Sequence, residues 1–309
     1  MNEFELIKRY FDRPPRRALL GVGDDCALAR PDPGLDLAIT TDMLVEGRHF
    51  LPDAEPRALG HKALAVNLSD LAAAGATPRW ATLAISLPSA EAVWLEAFSA
   101  GFFALAERYG VDLLGGDTTR SERLSICVAA IGEVPPGLAL TRAAARPGDD
   151  IWVSGELGGA ALGLVHPEIA EAAKRLHMPE PRVELGVRLR GLAHAAIDIS
   201  DGLAGDLGHI AERSQVAAIV EYARIPRPSV FQKLGAPELE RDCVLSGGDD
   251  YELAFTAPPA RRAELDSLAV ELGLALTRIG TIEAGSGLSI LDAKGKPIAH
   301  RGGFDHFGG

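Results

Sequence analysis

The stretch "AAIDISDGLAGDLGHI" (residues 195–210) decides the fold. Residues 195–199 read as a short apolar strand, Ser200-Asp201-Gly202 as a turn, and residues 203–213 as a helix. A strand running through a short turn into a helix is the repeating unit of α/β architecture. Three acids, Asp198, Asp201 and Asp206, sit in this segment. An aspartate in an apolar run is costly unless it is paired or coordinates a metal. The same juxtaposition recurs in "GVGDDCA" (21–27), "AITTDML" (38–44), "AVNLSDLAAAGA" (65–76), "LLGGDTTR" (113–120) and "LSGGDDYELAF" (245–255).

On either side of this stretch, alternating elements fill the chain. Residues 2–11 read as a helix capped by Asn2, with Glu5 three residues on. "DLAITTDML" (36–44) reads as a strand, and residues 56–74 as a helix opened by Pro56 and stopped by Gly75. A strand (80–88), a helix capped by Ser89 and stopped by Gly110, and strands over 111–116 and 124–134 complete the first half. "TRAAARPGDD" (141–150) is polar and carries a Pro-Gly pair, which places the domain boundary there. The second half reads as strand 151–155, helix near 181–194, strand 195–199, helix 203–213, strands 217–222 and 251–256, helix 259–272 and a closing hairpin through "DAKGKP". The expected class is α/β (α+β), in two domains over residues 1–143 and 144–309.

Composition narrows the function. The 309 residues are 47% hydrophobic and 24% charged, with a formal net charge of -12. That balance argues against a nucleic-acid or anionic-membrane binder, and nothing approaches the ~20 apolar residues of a membrane span. Cys26, Cys127 and Cys243 are odd in number, distant and outside any CxxC, so neither a disulfide framework nor a thiolate zinc site is expected. A cytoplasmic protein is the natural expectation.

Asp42, Asp117 and Asp198 lie at or near predicted strand ends, with Thr40 and Asp42 on one strand face and Asp198 and Ser200 on another. Asp70 sits mid-helix between Val66 and Ala73. Hard oxygen donors without a His or Cys cluster point to Mg²⁺ or Ca²⁺ rather than zinc. Each "GDD" or "SDG" is also an ordinary turn or cap signal, and Asp201 before Gly202 reads equally as an N-cap; six such motifs together favour function. No GxxxxGK[ST], GxGxxG, HExxH or GxSxG motif occurs. Tyr109, beside "LLGGD", reads either as a base-stacking residue or as a buried tyrosine at a helix end.

In order along the chain, "GVGDDCA", "TTDMLVEGRHF", "KALAVNLSDLAAAGATP", "GGDTTR", "ALTRAAARPGD", "DISDGL" and "GGDDYEL" resemble the thiamine-monophosphate kinases, in the superfamily of aminoimidazole ribonucleotide synthetase and selenophosphate synthetase. The resemblance runs from about residue 3 to "GGFDHF". It implies Mg²⁺-dependent transfer of the ATP γ-phosphoryl group to thiamine monophosphate, several Mg²⁺ ions, and a homodimer joined through N-terminal domains that also bind most of the ATP. Residue by residue it implies Asp25, Thr40, Thr41, Asp42, Asp70, Asp117, Asp198 and Asp201 as metal ligands. Gly116, Asp117, Arg142 and Ser200 would meet the nucleotide; His49, Asp249 and Phe304 would meet thiamine phosphate. Two positions depart from the family, which often has Glu at Asp249 and Tyr or Trp at Phe304. The alternatives are another ATP-dependent enzyme of the superfamily, such as an aminoimidazole ribonucleotide synthetase, or a non-catalytic divalent-metal-binding domain.

Overall fold

The computed structural model describes residues 2–300 and Gly302, in two compact units. Unit 1 comprises residues 1–71 and 76–137, and unit 2 comprises residues 72–75 and 138–309. Among the described residues no helix is long and apolar enough to cross a membrane.

Unit 1 begins with α1 (Glu3–Tyr10), where Asn2 and Glu5 close the expected capping box. β1 (Asp36–Val45), α2 (Pro56–Ala73), β2 (Thr77–Leu87), α3 (Ala92–Tyr109), β3 (Asp112–Arg120) and β4 (Ser125–Val134) follow. The four strands form one sheet in the order β1-β4-β2-β3. β4 lies antiparallel to both β1 and β2, and β2 lies parallel to β3. That parallel pair needs a crossover, and α3 supplies it. α3 starts two residues later than expected, because the Ser89 hydroxyl donates to Glu91 Oε1 at 2.9 Å instead of capping a backbone N–H. Its end is as expected, at Gly110 in the left-handed region. Leu64, Leu68 and Leu71 of α2 and Leu95, Phe98 and Phe102 of α3 are fully buried and form the core. β3 continues four residues past the expected end, since its polar run 117–120 pairs with β2 as far as Leu87↔Arg120. Pairing overrides a composition that reads as loop.

Unit 2 is built on a six-stranded sheet, β10-β7-β9-β5-β8-β6. In chain order its elements are β5 (Asp150–Ser154), α4 (Gly159–Val165), α5 (Ala170–His177), α6 (Val183–Arg188), β6 (Ala195–Asp198), α7 (Leu203–Ser214), β7 (Ala217–Glu221), α8 (Val230–Leu234), α9 (Pro237–Ser246), β8 (Leu253–Ala257), α10 (Arg262–Leu272), β9 (Leu276–Glu283) and β10 (Gly287–Leu291). The strand–turn–helix unit of the opening stretch is β6–α7, packed through Ile197, Leu203, Leu207 and Ile210 into one apolar cluster with Ile151, Val153 and Ile279.

Several expectations change here. The helix expected near 181–194 is confined to α6, six residues long. α4, α5, α8, α9 and β9 were not foreseen; the helices among them are short, and α4 begins at a glycine, a poor helix former. The strand expected from Tyr251 begins at Leu253, because Asp249 and Tyr251 occupy the left-handed region. The closing hairpin is reduced to a turn at Asp292 and a single Leu291–Pro297 bridge, while β10 pairs in parallel with β7.

Candidate active site

In unit 1 the edge strand β1 carries Thr40, Thr41 and Asp42. Strand alternation sends Thr40 and Asp42 to one face and Thr41 to the other. The Thr40 hydroxyl donates to Asp70 Oδ2, which joins strand and helix. Asn67, fully buried on α2, accepts the Asp42 N–H at 3.1 Å through Oδ1 and donates to the Ala63 carbonyl at 3.2 Å. The Thr41 hydroxyl instead lies 3.5 Å from Cys127 Sγ and donates to the Val128 carbonyl at 3.2 Å. In the turn after β1, His49 Nδ1 accepts the Val45 N–H at 3.0 Å. A neutral His49 therefore carries its proton on Nε2.

Asp25, Gly116 and Asp117 line a cleft of about 720 Å³ in the same unit, together with Phe4, Ile7, Phe11, Leu113 and Leu114. Asp25 follows a turn in which Asp24 Oδ1 accepts its N–H at 2.8 Å. Gly116 is required by packing, because a Cβ there would stand 1.7 Å from the Leu83 carbonyl oxygen. The missing side chain lets β3 close on the β2 backbone beside Asp117. Tyr109, at the end of α3, is not among the described residues lining this cleft; the Arg108 guanidinium lies 5.2 Å from its ring centroid.

In unit 2, β6 ends at Asp198, which is 3% exposed, and the turn that follows holds Ser200 and Asp201. Asp206, in the first turn of α7, reaches back to this turn: its Oδ2 accepts the N–H groups of Ser200 at 3.1 Å and Asp201 at 3.2 Å. Burial, with the charges of Asp198 and Asp201 beside it, pushes the Asp206 carboxyl up to about 8; the Asp201 N–H and the Arg142 charge act the other way. Asp198, Asp201, Asp206 and Arg142 thus share one electrostatic neighbourhood. Ser214 Oγ donates to the Arg142 carbonyl at 2.7 Å and holds that segment.

The "GGDDYEL" segment runs alongside this turn. Asp249 N–H donates to the Ser200 carbonyl and Tyr251 N–H to the Ile199 carbonyl, both at 2.9 Å. Gly248 permits the approach, since a Cβ there would come within 2.2 Å of the Ser200 oxygen. Asp250 Oδ2 and Oδ1 accept the N–H groups of Gly158 at 2.6 Å and Ala160 at 3.1 Å. Desolvation pushes Asp250 up to about 7, with the Glu252 charge adding to it, although those two N–H groups favour the ionised form. Glu252, 4% exposed, takes a hydrogen bond from Ser154 Oγ at 2.5 Å and a two-pronged contact from Arg182, whose Nε donates at 2.7 Å.

The structure thus brings Thr40, Asp42 and Asp70 together, groups Asp25 with Gly116 and Asp117, and groups Asp198, Ser200 and Asp201 with Arg142 and Asp249. Phe304 lies outside the described residues. Three supporting residues, Asn67, Asp206 and Tyr251, join those the sequence motifs point to. Asn67 had a visible signal, a polar amide closing the apolar run 63–66. Among the described residues no three His, Cys, Asp or Glu side chains converge as a preformed metal cluster.

Two sheet units carrying these motifs define an AIR synthase related protein: residues 23–134 match the N-terminal domain of that family and residues 146–292 its C-terminal domain. The chain is 46% identical to the thiamine-monophosphate kinase of Escherichia coli over 321 residues, covering 99% of this chain and 98% of that protein. It is 34% identical to the Bacillus subtilis thiamine-monophosphate kinase, covering 99% and 100%. Among solved structures, the thiamine-monophosphate kinase of Stenotrophomonas maltophilia superposes with a TM-score of 0.86 at 47% identity, covering 96% of each chain. AaThiL complexed with AMPPCP and TMP gives 0.78 at 33% identity, covering 93% and 92%. Escherichia coli HypE, a hydrogenase maturation protein, shares the fold at 19% identity. The chain belongs to the thiamine-monophosphate kinase family.

Proposed function

We propose that this chain transfers the γ-phosphoryl group of ATP to thiamine monophosphate, giving thiamine diphosphate and ADP. The observation that carries the reading is full-length kinship to thiamine-monophosphate kinases at 46% identity. In the step itself, a phosphate oxygen of thiamine monophosphate forms a bond to the γ-phosphorus. The bond to the β–γ bridging oxygen breaks, and its electron pair leaves on ADP. The acceptor is a phosphate monoester with a second pKa of about 6, so it is mostly deprotonated at neutral pH and needs no protein general base. Repulsion between two polyanions is the main obstacle, and phosphoryl transfer rests on positioning and charge neutralisation.

The donor set fits magnesium. Its groups are hard oxygens, and in unit 1 the Thr40 hydroxyl and the Asp70 carboxylate meet between strand and helix. Asp25, Thr40, Asp42, Asp70 and Asp117 of unit 1 and Asp198 and Asp201 of unit 2 would hold several Mg²⁺ ions; the Thr41 hydroxyl, expected among them, lies on the opposite face of β1 against Cys127 and Val128. Bound Mg²⁺ supplies charge neutralisation for the triphosphate. Gly116, Asp117 and Ser200 meet the nucleotide, and the Arg142 guanidinium offers a fork of donors to a phosphate. His49, Asp249 and Phe304 receive thiamine monophosphate. Residues 1–143 supply most of the ATP and metal groups, and residues 144–309 supply the rest.

A homodimer belongs to the same proposal. The outward face of edge strand β1 exposes Leu37, Ile39 and Met43, an apolar row suited to a second copy of the sheet. Sedimentation at twice the chain mass is the expected result, and the chain is expected to work in the cytoplasm. To test the activity, the protein is incubated with thiamine monophosphate, ATP and Mg²⁺, with an EDTA control. Equal amounts of thiamine diphosphate and ADP, lost in EDTA, are expected. A folded, ATP-binding protein that forms no thiamine diphosphate would overturn the substrate assignment.

A further inference from the structure

The segment carrying Asp249 is held more tightly than a substrate loop needs merely to close a chain. Asp249 at φ +66° and Tyr251 at φ +50° both occupy the left-handed region, where a bulky aromatic is a genuine outlier. Between them, Asp250 is pinned by the N–H groups of Gly158 and Ala160, so neither neighbour can relax without releasing that anchor. Strain of this kind persists only where the surroundings over-determine it, and it gathers at sites where a group must be aimed. Tyr251 is 8% exposed, and its hydroxyl donates to Asp249 Oδ1 at 3.1 Å. The same two residues hang their backbones on the Ser200 turn through the Asp249 and Tyr251 N–H groups. Asp249 is therefore fixed at both ends, its backbone by Ser200 and its carboxylate by Tyr251.

We propose that Tyr251 is a positioning residue that orients the Asp249 carboxylate toward the cationic and amine-bearing part of thiamine monophosphate; this rests on the kinase reading above. The chemistry selects that part of the substrate. A carboxylate repels a phosphate, whereas thiamine carries a permanent thiazolium charge and an aminopyrimidine donor. One hydrogen bond to the carboxylate restricts its rotation, so the ordering is complete before substrate arrives. Asp249 has one methylene fewer than glutamate, so there is less side chain left to reorient once the hydroxyl holds it.

Tyr251→Phe removes the hydroxyl and keeps the ring, its burial and its backbone demands. The expected result is a roughly tenfold rise in KM and in Kd for thiamine monophosphate, with KM for ATP, kcat and Tm near those of the parent. In the Asp249→Asn background, Tyr251→Phe should add little, because the tyrosine acts through that carboxylate. Unchanged affinity for thiamine monophosphate in Tyr251→Phe overturns the proposal. So does a parallel rise in both KM values, or full additivity with Asp249→Asn. A parent protein that neither binds nor phosphorylates thiamine monophosphate overturns the kinase reading, and the role of Tyr251 falls with it. The two failures are told apart by calorimetric titration of the parent with thiamine monophosphate.

Discussion

The triplet Gly-Gly-Asp occurs at residues 115–117 in unit 1 and again at 247–249 in unit 2, and the two copies lead to different physics. In unit 1 it lies within strand β3, and Asp117 stands exposed at the wall of an open cleft. In unit 2 it lies outside any strand, wedged against the Ser200 turn, and the acids that follow turn inward to Gly158, Ala160, Ser154 and Arg182. Exposed acids can be removed at little cost to the fold, whereas inward acids hold it. A shared motif therefore fixes backbone shape and leaves the work of the carboxylate to its surroundings.

The largest effects are expected at Asp117 and Asp42. Asp117→Ala and Asp42→Ala should each reduce turnover to background while the circular dichroism spectrum stays that of the parent. For the exposed Asp117 the stability change should stay within about 0.5 kcal/mol. Normal turnover in either variant would remove unit 1 from the metal and nucleotide roles. Next in size is Glu252→Gln, which leaves Arg182 facing a neutral amide in a buried site. It should lower unfolding free energy by about 3 kcal/mol in a denaturant titration. A loss below about 1 kcal/mol would show that the unit 2 acids are no more structural than those of unit 1.

A smaller effect is expected from the buried Asp250 as pH changes. The folded value of Asp250, about 7, stands above the ordinary 3.8, so its stabilising contribution is complete below about pH 4 and is lost as pH rises through 7. Scanning calorimetry from pH 4 to 7.5 should show Tm falling by a few °C from this group, and Asp250→Asn should flatten that part of the fall. An identical slope in parent and variant would mean that the helix N–H groups of Gly158 and Ala160 keep Asp250 ionised throughout.

Much of unit 1 was legible because local signals and tertiary outcome agreed. The Asn2–Glu5 box, Pro56 at the start of α2 and Gly110 at the end of α3 each act within a few residues. Ser89 misled because its hydroxyl had a nearer partner in Glu91. In unit 2 the β6–α7 unit was readable from its apolar period, while α4 and α8 are too short to carry one. The acids of the candidate site were visible as costly insertions in apolar runs, but their partners were not.

By itself the sequence determined the α/β class, the strand–turn–helix unit at residues 195–213, the hard-oxygen character of the candidate ligands and the kinship of the whole chain. These follow from periodicity, capping and motif order, which are properties of neighbours along the chain. Only the tertiary structure decided that Thr40 reaches Asp70, that Thr41 faces away, that Asp206 buttresses Ser200 and Asp201, and that Tyr251 holds Asp249. The first and third of those contacts depend on where helices α2 and α7 pack. The second depends on which face of β1 is covered, and the last on a left-handed backbone imposed by anchors up to 92 residues away in sequence. Chain separation of that size leaves no local trace.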